Sequence, residues 1–299
     1  MSEDDGSHSS NGNYEETSTD SSCHDEPPHK ERTGRTSAQC IRVTKLPDGQ
    51  RLSVTYNSRG QPIGDTKSSL SSWEAMLARS KVRIIYRNWK AVPDDVKNRL
   101  WISLKTKFLL GEDERKSRLS SMASAWTKFK STLTTIYIRP FENDPEVLQK
   151  VPEIYKGYIP QNDWDVFLKE RLSVEFKKIS LKQSARRKKK KYNHRISKKG
   201  YAGLTEELKK KMGPSFDENN RDFLWKEAHK DKGGNYPDDA TREVAEKIDS
   251  LDNDVKEGKV VTQGRDDVLT MALGTSEHNG RVHAAGEKQV KRQLFVSEA

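Results

Sequence analysis

The first 38 residues carry almost no apolar side chains: only Met1, Tyr14, Cys23 and Ala38 interrupt a tract rich in Ser, Asp, Glu, Gly and Asn. Such a tract cannot bury enough surface to offset the entropy of ordering, so residues 1–40 are expected to form a disordered acidic tail. The texture changes at Cys40. "IRVTKLPDGQRLSVTYN" places two strand-like runs around the turn tripeptide Pro47-Asp48-Gly49, and Leu52, Val54 and Tyr56 alternate on one face. "SRGQPIG" supplies another turn, "KVRIIYRNW" (81–89) reads as a further strand, and a helix is expected near 70–79. Residues 41–92 therefore predict a small β element with a short helix.

Beyond Val92 the period lengthens. Pro93, Asp94 and Asp95 suit a helix N-terminus, where free amides and the dipole favour acids. Val96, Leu100, Leu104 and Phe108 then form one stripe with Trp101 beside it, and Gly111 ends it. A second stripe runs through Leu119, Met122, Trp126, Phe129, Leu133 and Ile136 to Pro140, so 93–139 predicts a helical hairpin whose tryptophans fill the core. Pro145 to Pro160 reads as a connection. A third helix starts at Asn162-Asp163 and carries Trp164, Phe167, Leu168, Leu172 and Phe176, opening a basic helical region over 160–212. Further helices follow over 213–286, and 287–299 reads as a tail. The fold class expected is mainly α: helical segments with a small N-terminal β element and disordered termini. No repeat and no heptad run long enough for a coiled coil is present.

Composition narrows this. Hydrophobic residues make up 32% of the 299 residues and charged ones 33%, lean for one tight core spanning the chain. Charge is unevenly spread: residues 1–30 hold eight acids against Lys30, a balance of −7 in a chain of +10, which leaves 31–299 at +17. So basic a body favours a polyanionic partner. A membrane partner is not expected, since no run of about 18 apolar residues is present and no apolar face lies beside the basic run. "MSEDDGSHSS" lacks the hydrophobic core of a signal peptide. Among Cys23, His24, His29 and Cys40 no pair has C-x2-C or H-x3-H spacing, and His278 and His283 lie five apart among glycines, where a loop or short turn is expected, so free thiols, no metal and no cofactor are expected.

The strongest chemical signal is "SARRKKKKYNHRISKKGYA", from Ser184 to Ala202. Between Lys177 and Lys199 stand twelve Lys or Arg and no acid. A solvated face usually mixes signs, and twelve like charges repel unless something neutralises them. Phosphate contact and nuclear import both fit. The anchors expected on DNA are Arg186, Arg187, Lys188, Lys189, Lys190, Lys191, Arg195, Lys198 and Lys199. Asn193 and His194 can reach bases, and Tyr201, like Tyr192, can stack on them. Alternatively Tyr201 belongs to the core, and Asn193 with His194 shapes a turn. Catalysis finds no frame: a metal-dependent strand-transfer site needs converging carboxylates on buried strands. Asp222, Glu227, Asp266 and Asp267 are the acids that could be enlisted, without strands around them, so no catalytic residue is assigned.

Several segments taken together resemble a known family. They are "YNSRGQPIG" (56–64), "YRNWKAVPDDVKNRLWISLKTKF" (86–108), "AWTKFKSTL" (125–133), "KKYNHRISKKGYAGL" (190–204), "LWKEAHKDKGG" (224–234) and "RDDVLTMALGTSEHNGRVHAAG" (265–286). In this order the chain is similar to the plant transposase family associated with Ptta and En/Spm (CACTA) elements. The resemblance implies a nuclear, transposon-encoded or transposon-derived DNA-binding protein, working beside a separate element-encoded transposase that supplies strand transfer. It leaves self-association open. His283 stands where the family more often has Arg. Two alternatives remain at this point: a metal-dependent transposase or nuclease, and an interaction protein whose basic run is only an import signal.

Overall fold

A computed structural model describes residues 40–189, 191–196, 199–262, 267–275 and 282–284. The fold is mainly α with a small β element, as the hydrophobic pattern predicts. Eleven α-helices and four two-residue strands are found among the described residues. The expectation of a disordered tail over 1–40 falls outside them, save for Cys40, and so does that of a tail over 287–299.

Three clusters of buried side chains organise the chain. The first lies between helices α2 (Thr66–Lys81), α3 (Asp94–Lys105) and α4 (Arg115–Thr132). Leu70, Leu77 and Ala78 of α2 meet Leu100, Trp101 and Leu104 of α3 and Met122 and Trp126 of α4. Their spacings of one, three, four and seven residues put one stripe of each helix inward. The hairpin read from the sequence thus packs against α2, which covers its open side. Glu74 of α2 and Arg118 of α4 are both buried here and meet at 3.4 Å. Their pairing keeps two charges tolerable inside an apolar interface.

The strands edge this cluster. β1 (Leu52–Ser53) pairs in parallel with β4 (Phe108–Leu109), and β2 (Thr55–Tyr56) pairs antiparallel with β3 (Pro62–Ile63). Leu52, Val54 and Tyr56 are the half-buried positions, so the period-two reading of that run holds. Two other strand readings do not. Ile41–Thr44 is the four-residue helix α1, which inserts Val43 alone into the cluster. Lys81 to Trp89 forms no strand. Its backbone turns at Ile84-Ile85, so Val82 enters the first cluster and Ile84 the second. A strand's alternation is present, but no strand among the described residues offers it a ladder.

The second cluster follows α4. A π-helical turn, Leu133–Ile138, turns Leu133 and Ile138 inward, and Pro140 prevents continuation. After α5 (Pro145–Leu148) comes α6 (Gln161–Leu172), whose Trp164 and Phe167 are fully buried against Leu148, Val151 and Ile159. The Trp164 indole N–H donates to the Leu148 carbonyl at 2.7 Å. Asp163 is buried and is gripped by Arg83 through two hydrogen bonds of 2.6 and 3.0 Å.

The third cluster is built by α8 (Gly200–Met212), α9 (Arg221–His229), α10 (Asp239–Lys256) and α11 (Val268–Leu273). Leu204, Leu208, Leu224, Trp225, Ile248 and Leu269 are its largest members. Asn220, Asp238 and Asp267 cap α9, α10 and α11 by accepting from the backbone N–H of the third residue of each helix. Gly274 then ends α11 in the left-handed conformation, φ 63°. Among the described residues no helix is long and apolar enough to cross a membrane.

Candidate nucleic-acid interface

Between the second and third clusters lies α7 (Val174–Lys188), which buries no residue. Ser173 caps its start by accepting from the Phe176 N–H, and Arg171 stacks its guanidinium on the rings of Phe167 and Phe176, at 4.5 and 4.2 Å. Lys177 reaches Glu142 at 2.8 Å, and Arg139 donates to Ser180. From Leu181 to Lys189 every side chain is exposed. The region expected as one basic helical unit over 160–212 is thus divided: α6 packs backward, α8 forward, and α7 spans the gap.

The predicted residues fall in four places. Arg186, Arg187 and Lys188 form the last helical turn and Lys189 its cap, all exposed. Helix C-termini favour cations, so the partial negative charge there steadies this turn before any partner arrives. Lys191, Asn193, His194 and Arg195 lie in a non-helical segment and are also exposed. Lys199 and Tyr201 stand at the start of α8. Lys190 and Lys198 lie outside the described residues. None of Arg186, Arg187, Lys188, Lys189, Lys191 or Arg195 makes an ion pair among the described residues. Lys199 does, with Glu207.

The non-helical segment is fixed from below. Ile196 is buried in the third cluster, and the Arg195 N–H donates to the Ala228 carbonyl at 2.6 Å. Tyr192 packs edge-on against Trp225, centroids 5.9 Å apart. Tyr201 also packs on the third cluster, and burial pushes its phenol well above the usual range. Its ring meets that of His194 edge-on at 5.9 Å. Tyr201 therefore has the surroundings of a support for His194 rather than of an open stacking platform. Asn193 makes no side-chain hydrogen bond among the described residues.

Three hydrogen bonds that the sequence did not suggest join distant segments, one at this surface and two at the turn before α9. Lys67, in the first turn of α2, donates to the Lys199 carbonyl at 3.1 Å. Arg59 donates to the Glu218 carbonyl at 2.6 Å, and Ser58 to the Glu218 carboxylate at 2.8 Å. These partners are 132 to 160 residues apart, a separation that periodicity cannot register.

Of the acids considered for catalysis, Asp267 and Glu227 are held in ion pairs, Asp266 lies outside the described residues, and Asp222 is half-buried with one enclosed carboxylate oxygen unpartnered among the described residues. Asp267 pairs with buried Arg221 at 2.5 Å and caps α11, while Arg221 also donates to the His283 carbonyl. Glu227 pairs with Lys230, and Asp266 is outside the described residues. Burial, reinforced by Asp267 and Asp252, raises the Asp222 carboxyl to about 6. Among the described residues no three His, Cys, Asp or Glu side chains are grouped to hold a metal ion. Of the zinc candidates weighed in the sequence, half-buried Cys40 and exposed His283 are described, and the others are not.

Residues 160–291 match the model of the plant transposase (Ptta/En/Spm) family. The matched stretch holds α6, α7, the basic run and the whole third cluster. The segments between 56 and 133 that contribute to the resemblance lie outside it. No curated protein and no solved structure matches the chain.

Proposed function

We propose that this plant En/Spm transposase-related chain is a nuclear DNA-binding protein that docks on phosphates through the end of α7 and the segment after it. A single observation carries this reading. Five described cations, Arg186 to Lys189 and Lys191, are exposed and make no ion pair among the described residues, and exposed Arg195, with Asp238 near it, follows on a segment anchored by Ile196, Tyr192 and Tyr201. Clustered unpaired cations cost repulsion, and phosphates relieve it while releasing counterions. Lys190, Lys198 and Lys199 extend the same charge. Asn193 and His194, exposed beside them, are the candidates for base contact, with Tyr201 holding His194. Strand transfer is assigned to a separate element-encoded protein, because Asp267 and Glu227 already serve structural ion pairs.

The test replaces Arg186 through Lys191 by Ala in the full chain and measures binding to labelled duplex DNA by fluorescence anisotropy. Affinity is expected to fall at least tenfold at about 150 mM salt, with a shallower dependence on salt. Unchanged affinity accompanied by loss of nuclear entry overturns direct contact and leaves an import signal. Reproducible cleavage of element-end DNA with Mg²⁺, lost on Asp222→Asn or Asp267→Asn, overturns the division of labour.

A further inference from the structure

Charge is divided unequally among the clusters. Residues 40–133, which build the first, hold 19 Lys or Arg against eight acids, a balance of +11. Residues 199–262, which hold α8, α9 and α10, carry 12 cations against 15 acids, a balance of −3. The larger share of the net positive charge therefore lies outside the stretch that matches the transposase family. Its focus is one end of α2. Arg79 and Lys81 stand in the last turn, where the helix dipole favours cations. Arg83, Arg87 and Lys90 follow, and no acid occurs between Glu74 and Asp94. Helix α1 buries Val43 in the same cluster and presents Arg42 and Lys45. The two helices meet here: the Arg79 charge offsets part of what burial does to the Cys40 thiol at the head of α1.

Arg42, Lys45, Lys81, Arg83, Arg87 and Lys90 are exposed, and Arg79 is half-buried. Of these seven only Arg83 makes an ion pair among the described residues, and its partner Asp163 is buried. Like charges gathered without acids repel, and a polyanion relieves that cost. Ile41 is the only large apolar side chain exposed at 40–46 or 79–91, too little for insertion into a bilayer. Helix α2 also sets the patch beside the basic segment after α7. Lys67, at its start, holds the Lys199 carbonyl. From Lys67 to Lys81 the helix rises about 21 Å at ~1.5 Å per residue. That length covers roughly six phosphates of one strand at about 3.4 Å each, so a duplex of modest length reaches both.

We infer that the end of α2, with α1 and the loop at 82–90, is a second nucleic-acid contact, holding phosphates of the duplex that docks on the basic end of α7. The choice of partner rests on the DNA-binding reading, and the variants separate the two. In the full chain, Arg42→Gln, Lys45→Gln, Lys81→Gln, Arg87→Gln and Lys90→Gln are combined, and binding to labelled duplex DNA is followed by fluorescence anisotropy. Affinity falls at least tenfold at about 150 mM salt, and the slope of log affinity against log salt becomes shallower by about 2 to 4. Exchanging Lys for Arg and Arg for Lys at the same positions keeps the charge and the affinity, and circular dichroism stays helical in both. Unchanged affinity and slope in the glutamine variant, while alanine at 186–191 weakens binding, overturns the second contact and leaves the first. A weakly binding glutamine variant beside an alanine block without effect overturns the first and leaves the second. A charge-retaining variant that binds as weakly as the glutamine one marks the loss as structural and overturns the inference. So does a glutamine variant that loses anionic-lipid vesicles and keeps DNA.

Discussion

Helices α6 and α7 are joined through Ser173 alone, yet they have opposite fates. α6 buries Trp164, Phe167, Asp163 and Arg171, whereas α7 buries nothing. Both contain apolar residues, so the difference does not lie in the helices. It lies in what surrounds them. α6 finds Arg83, the Leu148 carbonyl and the ring-lined floor left by the turns before it. The three contacts that hold α7, through Lys177, Ser180 and Phe176, all lie in its first half. Burying a large side chain is worth about 1.5–3 kcal/mol, so α6 is an anchor, and α7 contributes little to stability and much exposed surface.

That contrast can be broken from the α6 side first. Trp164→Ala removes a fully buried indole and the donor to Leu148, and is expected to cost about 3–5 kcal/mol in urea unfolding. Beneath α6, Lys130 is buried, lies over the Trp126 and Phe167 rings, and donates to the Tyr86 carbonyl. Burial, with the Arg171 charge adding to it, lowers its pKa from 10.5 to about 8. Between these two values the unfolded chain holds more protons than the folded one, so stability rises as pH climbs from about 8 toward 10.5. Lys130→Met flattens that rise, as thermal melts across the range will show.

In the third cluster the sign is reversed. Asp222 is raised by burial from 3.8 to about 6, so the folded chain holds the extra proton and stability falls as pH rises through that window. Asp222→Asn keeps an acceptor for the Leu269 N–H and is expected to raise the melting temperature at pH 7 but not at pH 4. The smallest effect belongs to α7. Alanine at Arg186 through Lys191, the substitution that weakens DNA binding, is expected to shift stability by less than about 0.5 kcal/mol.

Much of this was legible in order along the chain. Leu100, Trp101 and Leu104 and then Met122, Trp126 and Phe129 are buried as their spacing requires, and Pro93 marks the start assigned to α3, but Phe108 lies in β4, Ile136 is exposed, and α4 ends at Thr132, well before Pro140. Trp164 and Phe167 are core, as the third helix predicts. The misread stretches are short ones. In Ile41–Thr44 and Lys81 to Trp89 a few alternating apolar residues serve a helical turn or a bend equally well, and only a partner strand would have decided. The parallel pairing of Leu52 with Phe108 was not legible, since a ladder depends on a strand 56 residues away.

For the candidate interface, the sequence by itself determined which residues carry charge, that no acid lies among them, and that Gly200 and Tyr201 follow. Charge and turn preference are properties of residues and their immediate neighbours. Tertiary structure alone decided that the basic end of α7 is exposed, that Tyr192 and Tyr201 face Trp225 and His194, and that Lys67 reaches across to the Lys199 carbonyl. Burial belongs to a pair of surfaces, and the second surface is supplied by residues distant in the chain.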